Sequence, residues 1–173
     1  LKKAVFLDRD GVLNEVLTDR VKFVNHPNQL HLLDRAAEAV KLFNDSGFTV
    51  FVVTNQGGVG LGYMSESSLS RIHAKMERLI SEKGGIIQEI ACCTHKPDRG
   101  CSCRKPEPGM LFDLAERYGI DLSESYMIGD REPDIAAGRS AGTAVILIGD
   151  QPGLADAQFP SLWDAAEWII AKN

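Results

Sequence analysis

Ala4-Val5-Phe6-Leu7-Asp8-Arg9-Asp10-Gly11 runs four consecutive apolar residues straight into two carboxylates and a glycine. An apolar run without alternation suits a strand covered on both faces, as in a parallel sheet. The charges and Gly11 end it, so the strand delivers Asp8 and Asp10 at its carboxyl end. Outward from this point the same grammar repeats. Phe48 to Val53, rich in β-branched and aromatic residues, leads into Thr54-Asn55-Gln56. Ile86 to Cys92 reads as a third strand, Tyr126-Met127-Ile128 enters Gly129-Asp130, and Thr143 to Ile148 is the last clear strand of this type.

Helical stretches separate these strands. Asp34 is placed to cap a helix carrying Ala37, Val40, Leu42 and Phe43 toward a stop at Ser46-Gly47. Ser65, with Ser68 or Glu66, opens a helix through Ile80 whose apolar face is Leu69, Ile72, Met76, Leu79 and Ile80. Pro108 begins another that runs to Arg117 or Tyr118 before Gly119, and Pro133 to Ser140 forms a short one. The tail holds a last helix with Leu162, Trp163, Ala166, Trp168, Ile169 and Ile170. Strand and helix in alternation predict an α/β fold with a doubly wound, mainly parallel sheet, its ligand site beyond the strand carboxyl ends. Residues 12–33 are expected to be irregular, with a turn at Asn25-His26-Pro27-Asn28.

The 173 residues suit a single domain over 1–173. The chain carries 24 acidic against 19 basic residues and has no basic run, which argues against a nucleic-acid partner. The first apolar stretch is too short for a signal peptide or a membrane span, so cytoplasmic residence without a membrane partner is expected. A monomer is expected; an exposed patch at Trp163 and Trp168, read chiefly as packing residues, is where a dimer would form.

The polar residues at the strand ends share out one chemistry. Asp8 suits a nucleophile toward phosphorus, and Asp10 suits an acid that protonates the leaving oxygen and later activates water. Carboxylates approaching a phosphate repel it, and Mg2+ held by Asp8, Asp130 and the backbone carbonyl of Asp10 relieves that repulsion. Lys105 supplies a fixed positive charge, and Thr54 and Asn55 offer hydrogen-bond donors for phosphoryl oxygens. The glycine-rich stretch Gly57 to Gly62 lacks the lysine-serine or lysine-threonine ending of a P-loop and reads as a connection.

Cys93, His95, Cys101 and Cys103 follow the pattern Cys-x-His, five residues, Cys-x-Cys. Three thiolates and an imidazole suit tetrahedral Zn2+ with no position left for water, hence a structural zinc loop over residues 93–103. Spacing alone admits Cys92 in place of Cys93; Cys92 is read as a buried strand residue. Fixing Cys103 restricts where Lys105 points, two residues on.

Asp8-Arg9-Asp10-Gly11, Thr54, Lys105 and Gly129-Asp130 with Asp134 together resemble the four ordered motifs of the haloacid dehalogenase superfamily. The resemblance implies Asp8 as nucleophile, Asp10 as acid and base, and Asp134 as an outer-shell residue of the metal site. The run from Cys101 to Met110, with the Cys/His pattern, is similar to the zinc-containing phosphatases of that superfamily, above all the heptose-bisphosphate branch. That likeness implies a minimal cap, a small phosphorylated substrate of the sugar bisphosphate kind, and substrate-phosphate contacts from Arg104, Lys105 and Arg131. Arg131-Glu132 also resembles the histidinol-phosphate branch, so substrate choice between the two stays open at this point.

Overall fold

The computed structural model describes residues 1–173. Six strands, β1 (Ala4–Leu7), β2 (Thr49–Asn55), β3 (Glu89–Cys93), β4 (Tyr126–Gly129), β5 (Ala144–Ile148) and β6 (Ala157–Phe159), form one parallel sheet in the order β3-β2-β1-β4-β5-β6. Five helices cover it: α1 (Ala36–Asp45), α2 (Glu66–Glu82), α3 (Gly109–Tyr118), α4 (Glu132–Ala141) and α5 (Leu162–Lys172).

Alternation along each strand explains the three layers. Val5, Leu7, Val50, Val52 and Ile128 pack on one face with Phe43, Ile72, Met76 and Ile169 from α1, α2 and α5. Ala4, Phe6, Phe51, Val53 and Met127 point the other way, onto Leu111, Leu114 and Ile135 from α3 and α4. Each fully buried aliphatic or aromatic side chain contributes about 1.5–3 kcal/mol. The central strands are therefore apolar on both faces, and polar residues appear only where the strands end.

From β1 the chain builds outward to β2 and β3 on one side and to β4, β5 and β6 on the other. Strand order reverses between β1 and β4, and the crevice that opens there at the carboxyl ends is where such sheets bind ligands. Asp8 follows β1 and Asp130 follows β4, so both stand at that crevice.

Three details differ from the sequence expectations. Asp34 does not cap α1. Arg35 occupies the cap position in a left-handed conformation (φ 57°), leaving Asp34 exposed outside the helix, and stacks its guanidinium 3.6 Å from the Trp163 ring centroid. β3 begins at Glu89, later than expected, because Ile86 is tied instead to Asn44, whose Oδ1 accepts from its N–H at 2.8 Å. β6 was not foreseen: Ala157-Gln158-Phe159 is three residues long and carries no pattern of its own. By contrast Ser65 caps α2 as expected, accepting from the Ser68 N–H at 3.0 Å. Trp163 and Trp168 are half-buried, and Trp168 packs on Phe159. No helix is long and apolar enough to cross a membrane.

Candidate active site

A cavity of about 650 Å³ lies at the strand-order reversal, and Asp8, Asp10, Asn55, Arg104, Lys105, Asp130, Arg131 and Asp134 all line it. Lys105 is the hub. Its side chain is 2% exposed, and Nζ donates to Asp8 Oδ1 at 2.9 Å, Asp134 Oδ1 at 2.6 Å and the Val53 carbonyl at 2.8 Å. An ammonium has three donors, and all three are used. Burial alone would lower the Lys105 pKa, but Asp8 and Asp134 outweigh it and hold the group above its ordinary value. Asn55 fixes the same residue through its backbone: Nδ2 donates to the Lys105 carbonyl and Oδ1 accepts from the Lys105 N–H, each at 3.0 Å.

Asp8, Asp130 and Asp134 bring carboxylate oxygens within 4.8 Å of one another. Burial pushes Asp8 well up from the usual carboxylate range; Lys105 opposes this, while Asp134, Asp130 and Asp10 add to it. Asp130 is pushed up to about 6, by burial first and Asp134 next. Its Oδ1 is buried with no hydrogen-bond partner. A buried acceptor left unpaired beside a second carboxylate fits a hard divalent cation such as Mg2+, which takes oxygen ligands. Asp134 is already engaged: Oδ1 takes Lys105, and Oδ2 accepts from the N–H groups of Asp130 and Arg131 at 3.2 and 3.1 Å. It orients the loop that carries Asp130 and Arg131. Gly11 is required by this packing, since at φ +83° any Cβ would fall 2.0 Å from Asp130 Oδ2.

Asp10 is held from behind. Oδ1 accepts from Arg9 Nε at 3.0 Å and Asn14 Nδ2 at 2.9 Å; Gln56 Nε2 reaches Oδ2 at 3.3 Å. Gln56 also donates to Thr54 Oγ1 at 2.9 Å; Thr54 is buried next to the lining residues Asn55 and Gln56 and does not itself line the cavity, its hydroxyl hydrogen still available to donate. Arg104 lines the cavity, and its Nη1 is buried without a partner; Arg131 is exposed at the rim. Val16, Leu17 and Phe23 of the irregular segment and Leu61 and Tyr63 beyond the glycine stretch wall the mouth. Gly60 packs directly on the Cys/His loop, donating to the Thr94 carbonyl at 3.0 Å.

Cys93, His95, Cys101 and Cys103 converge. Cys103 Sγ lies 3.0 Å from Cys93 Sγ, 3.5 Å from Cys101 Sγ and 3.3 Å from His95 Nδ1, and all four cysteines are free thiols. Cys103 is pushed up to about 12, by burial first and then by Cys93 and Cys101. Four soft donors facing one point form a group able to hold a metal ion. Cys93 is the converging member, and the expected burial of its neighbour is corrected: Cys92 is exposed. Adjacent strand residues face opposite ways, so on the edge strand β3 Cys93 turns into the core and Cys92 outward.

Sequence reasoning missed Arg9, Asn14, Gln56 and His73. Arg9 is the largest fully buried side chain, and its Nη1 lies 3.1 Å from His73 Nε2 on α2. Burial first, then the Arg9 charge, hold His73 down to about 4 from 6.5, with Asp10 pulling the other way. The folded protein thus binds fewer protons here than the unfolded chain between these values, so stability is full above pH 6.5 and lost as pH falls toward 4. Urea denaturation of wild type and His73→Gln should show wild type losing up to about 3 kcal/mol more between pH 7 and pH 4.

An α/β sheet of this order, with an aspartate pair after β1, a lysine from a distant loop and acidic residues after β4, has the architecture of the haloacid dehalogenase superfamily. Residues 102–156 match the family model described as HAD-hydrolase-like. The D-glycero-beta-D-manno-heptose-1,7-bisphosphate 7-phosphatase of Bordetella bronchiseptica is 39% identical over 146 residues, 84% of this chain and 80% of that protein. The corresponding alpha-anomer phosphatase of Photorhabdus laumondii is 34% identical over 147 residues, 81% and 78% of the two chains. A crystal structure of the B. bronchiseptica D,D-heptose 1,7-bisphosphate phosphatase with magnesium and phosphate superposes with a TM-score of 0.90 at 33% identity, covering 99% of each chain. The chain belongs to the D-glycero-D-manno-heptose-1,7-bisphosphate 7-phosphatase family of that superfamily.

Proposed function

We propose that this chain hydrolyses the 7-phosphate of D-glycero-D-manno-heptose 1,7-bisphosphate, through a phosphoryl group carried on Asp8. The observation that carries this reading is Asp8 at the cavity base, joined to Lys105 at 2.9 Å and crowded by Asp130, with Asp10 beside it. Asp8 attacks phosphorus, the bond to the sugar oxygen breaks, and Asp10 gives that oxygen its proton. Asp10 then takes a proton from the attacking water as the phosphoryl group leaves Asp8 as inorganic phosphate. Lys105 favours the ionised form of Asp8 against the burial that opposes it, and orients the carboxylate toward the phosphoryl group. Asp8 and Asp130 with the Asp10 carbonyl would hold Mg2+, which supplies charge neutralisation at the phosphoryl oxygens when bound.

The unpartnered Arg104 Nη1 and the rim guanidinium of Arg131 give the cavity cationic groups beyond Lys105, which suits a substrate with two phosphates. Histidinol phosphate, the alternative substrate, has one. Thr54 and Asn55 are proposed as further donors at the phosphoryl site, Asn55 through the amide hydrogen it does not give to Lys105. Steady-state phosphate release with Mg2+ separates these readings: a preference in kcat/KM for either anomer of the heptose bisphosphate supports the assignment, and a preference for histidinol phosphate overturns it.

The Cys93-His95-Cys101-Cys103 group is proposed as a structural zinc site, the whole chain as one domain, and the minimal cap as its loops around the cavity. Its free thiols suit the reducing cytoplasm. Tetrahedral ligands about 2.3 Å from Zn2+ stand roughly 3.7 Å apart, close to the 3.0–3.5 Å separations among these atoms. Removing zinc frees Cys103, two residues from Lys105. Stripping zinc from the folded protein with a chelator should lower Tm by about 10 °C and reduce kcat/KM assayed with saturating Mg2+, with recovery on adding Zn2+ but not on adding more Mg2+; unchanged Tm and turnover in verified zinc-free protein would refute a structural site.

A further inference from the structure

Arg9 is wholly buried, and its guanidinium sits between Asp10 and His73. Burying a guanidinium is costly, and a packed apolar residue of similar volume is often as stable or more so. Its placement therefore calls for a use beyond packing. Arg9 Nε and Asn14 Nδ2 both donate to Asp10 Oδ1, while Arg9 Nη2 lies 2.9 Å from the same oxygen without a hydrogen-bond geometry. An oxygen so loaded with donors has no place for a proton. The proton that an acid at this position transfers is thus confined to Oδ2, which carries only the longer 3.3 Å contact from Gln56 Nε2.

What aims Arg9 is His73. Its Nε2, 3.1 Å from Arg9 Nη1, accepts from the guanidinium as the neutral imidazole. His73 lies inside α2, between the buried residues Ile72 and Met76, so the imidazole is fixed by core packing. We propose that His73 is a positioning residue for Asp10: acting through Arg9, it holds Oδ1 in place and turns the proton-bearing Oδ2 toward the leaving oxygen. The inference rests on the hydrolase reading above and goes beyond it in assigning the transferred proton to one atom and its aim to a side chain on α2.

Leaving-group dependence tests it. An alkyl phosphate needs its leaving oxygen protonated, whereas p-nitrophenyl phosphate expels a stable phenolate that does not. His73→Phe keeps the ring volume but offers Arg9 no acceptor. It should lower kcat/KM about tenfold or more on the heptose bisphosphate and less than about threefold on p-nitrophenyl phosphate. His73→Gln, which places an amide oxygen within reach of Arg9, should recover most of the loss; His73→Asn, too short to reach, should not. If His73→Phe fails to fold, the Gln and Asn pair decides. Equal losses on both substrates, or an Asn variant as active as the Gln variant, would overturn the role of His73. Absence of turnover by wild type would instead remove the hydrolase reading itself.

Discussion

Asp8→Asn is expected to lower kcat by about 10⁴-fold or more while leaving the protein at least as stable as wild type. The loss follows from removing the group proposed to bond to phosphorus, which the amide replaces poorly. The stability follows from the surroundings. Burial, Asp134, Asp130 and Asp10 all oppose a charge on Asp8, and Lys105 alone favours it. The amide oxygen of Asn still accepts from Lys105 Nζ and from the Arg9 N–H, which reaches Asp8 Oδ1 at 2.9 Å. One repulsive charge disappears from the cluster and no buried donor loses its acceptor. Phosphate release and thermal unfolding measured on one preparation check both halves; normal turnover would remove Asp8 from the nucleophile role.

Lys105→Met should have the opposite balance, losing both activity and fold stability. Methionine fills a similar volume, but Asp8 Oδ1, Asp134 Oδ1 and the Val53 carbonyl each lose a donor in a site almost closed to water. Breaking a buried ion pair from one side costs about 3–5 kcal/mol. Part of that penalty is escaped by protonation, since carboxyls in this setting take up protons readily. The variant should therefore be closest to wild type in acid and fall further behind as pH rises. Denaturant melts at pH 5 and pH 8 measure this; an equal deficit at both would mean that the lysine contributes packing and little charge.

The catalytic candidates were legible because each occupies a place with a physical signature. Asp8, Asp10 and Asp130 interrupt apolar strands, and Lys105 follows a cysteine pattern that has few uses other than metal binding. The parallel sheet then does the assembly, which is why Asp8, Lys105 and Asp134 meet although they lie 97 and 29 residues apart along the chain. His73 gave no such signal. Spaced among Leu69, Ile72 and Met76, it looks like one more member of an amphipathic face, and its partner Arg9 is 64 residues away. By type and position Asn55 reads as a donor to substrate; its clamp on the Lys105 backbone depends on the path of the loop carrying Cys103, which spacing does not specify. Asp34 failed as a cap for a related reason. Cap preference is local, whereas the observed helix start coincides with a stacking contact between Arg35 and Trp163, far along the chain, which the local sequence does not carry.

The most direct test uses heptose 1,7-bisphosphate labelled in its 7-phosphate, mixed with enzyme and Mg2+ and quenched in acid within a turnover. Peptide mapping should find the label on Asp8 alone, and the released phosphate should come from C7 with the C1 phosphate left on the sugar. Label on another residue, no labelled protein at all, or release of the C1 phosphate would contradict the account.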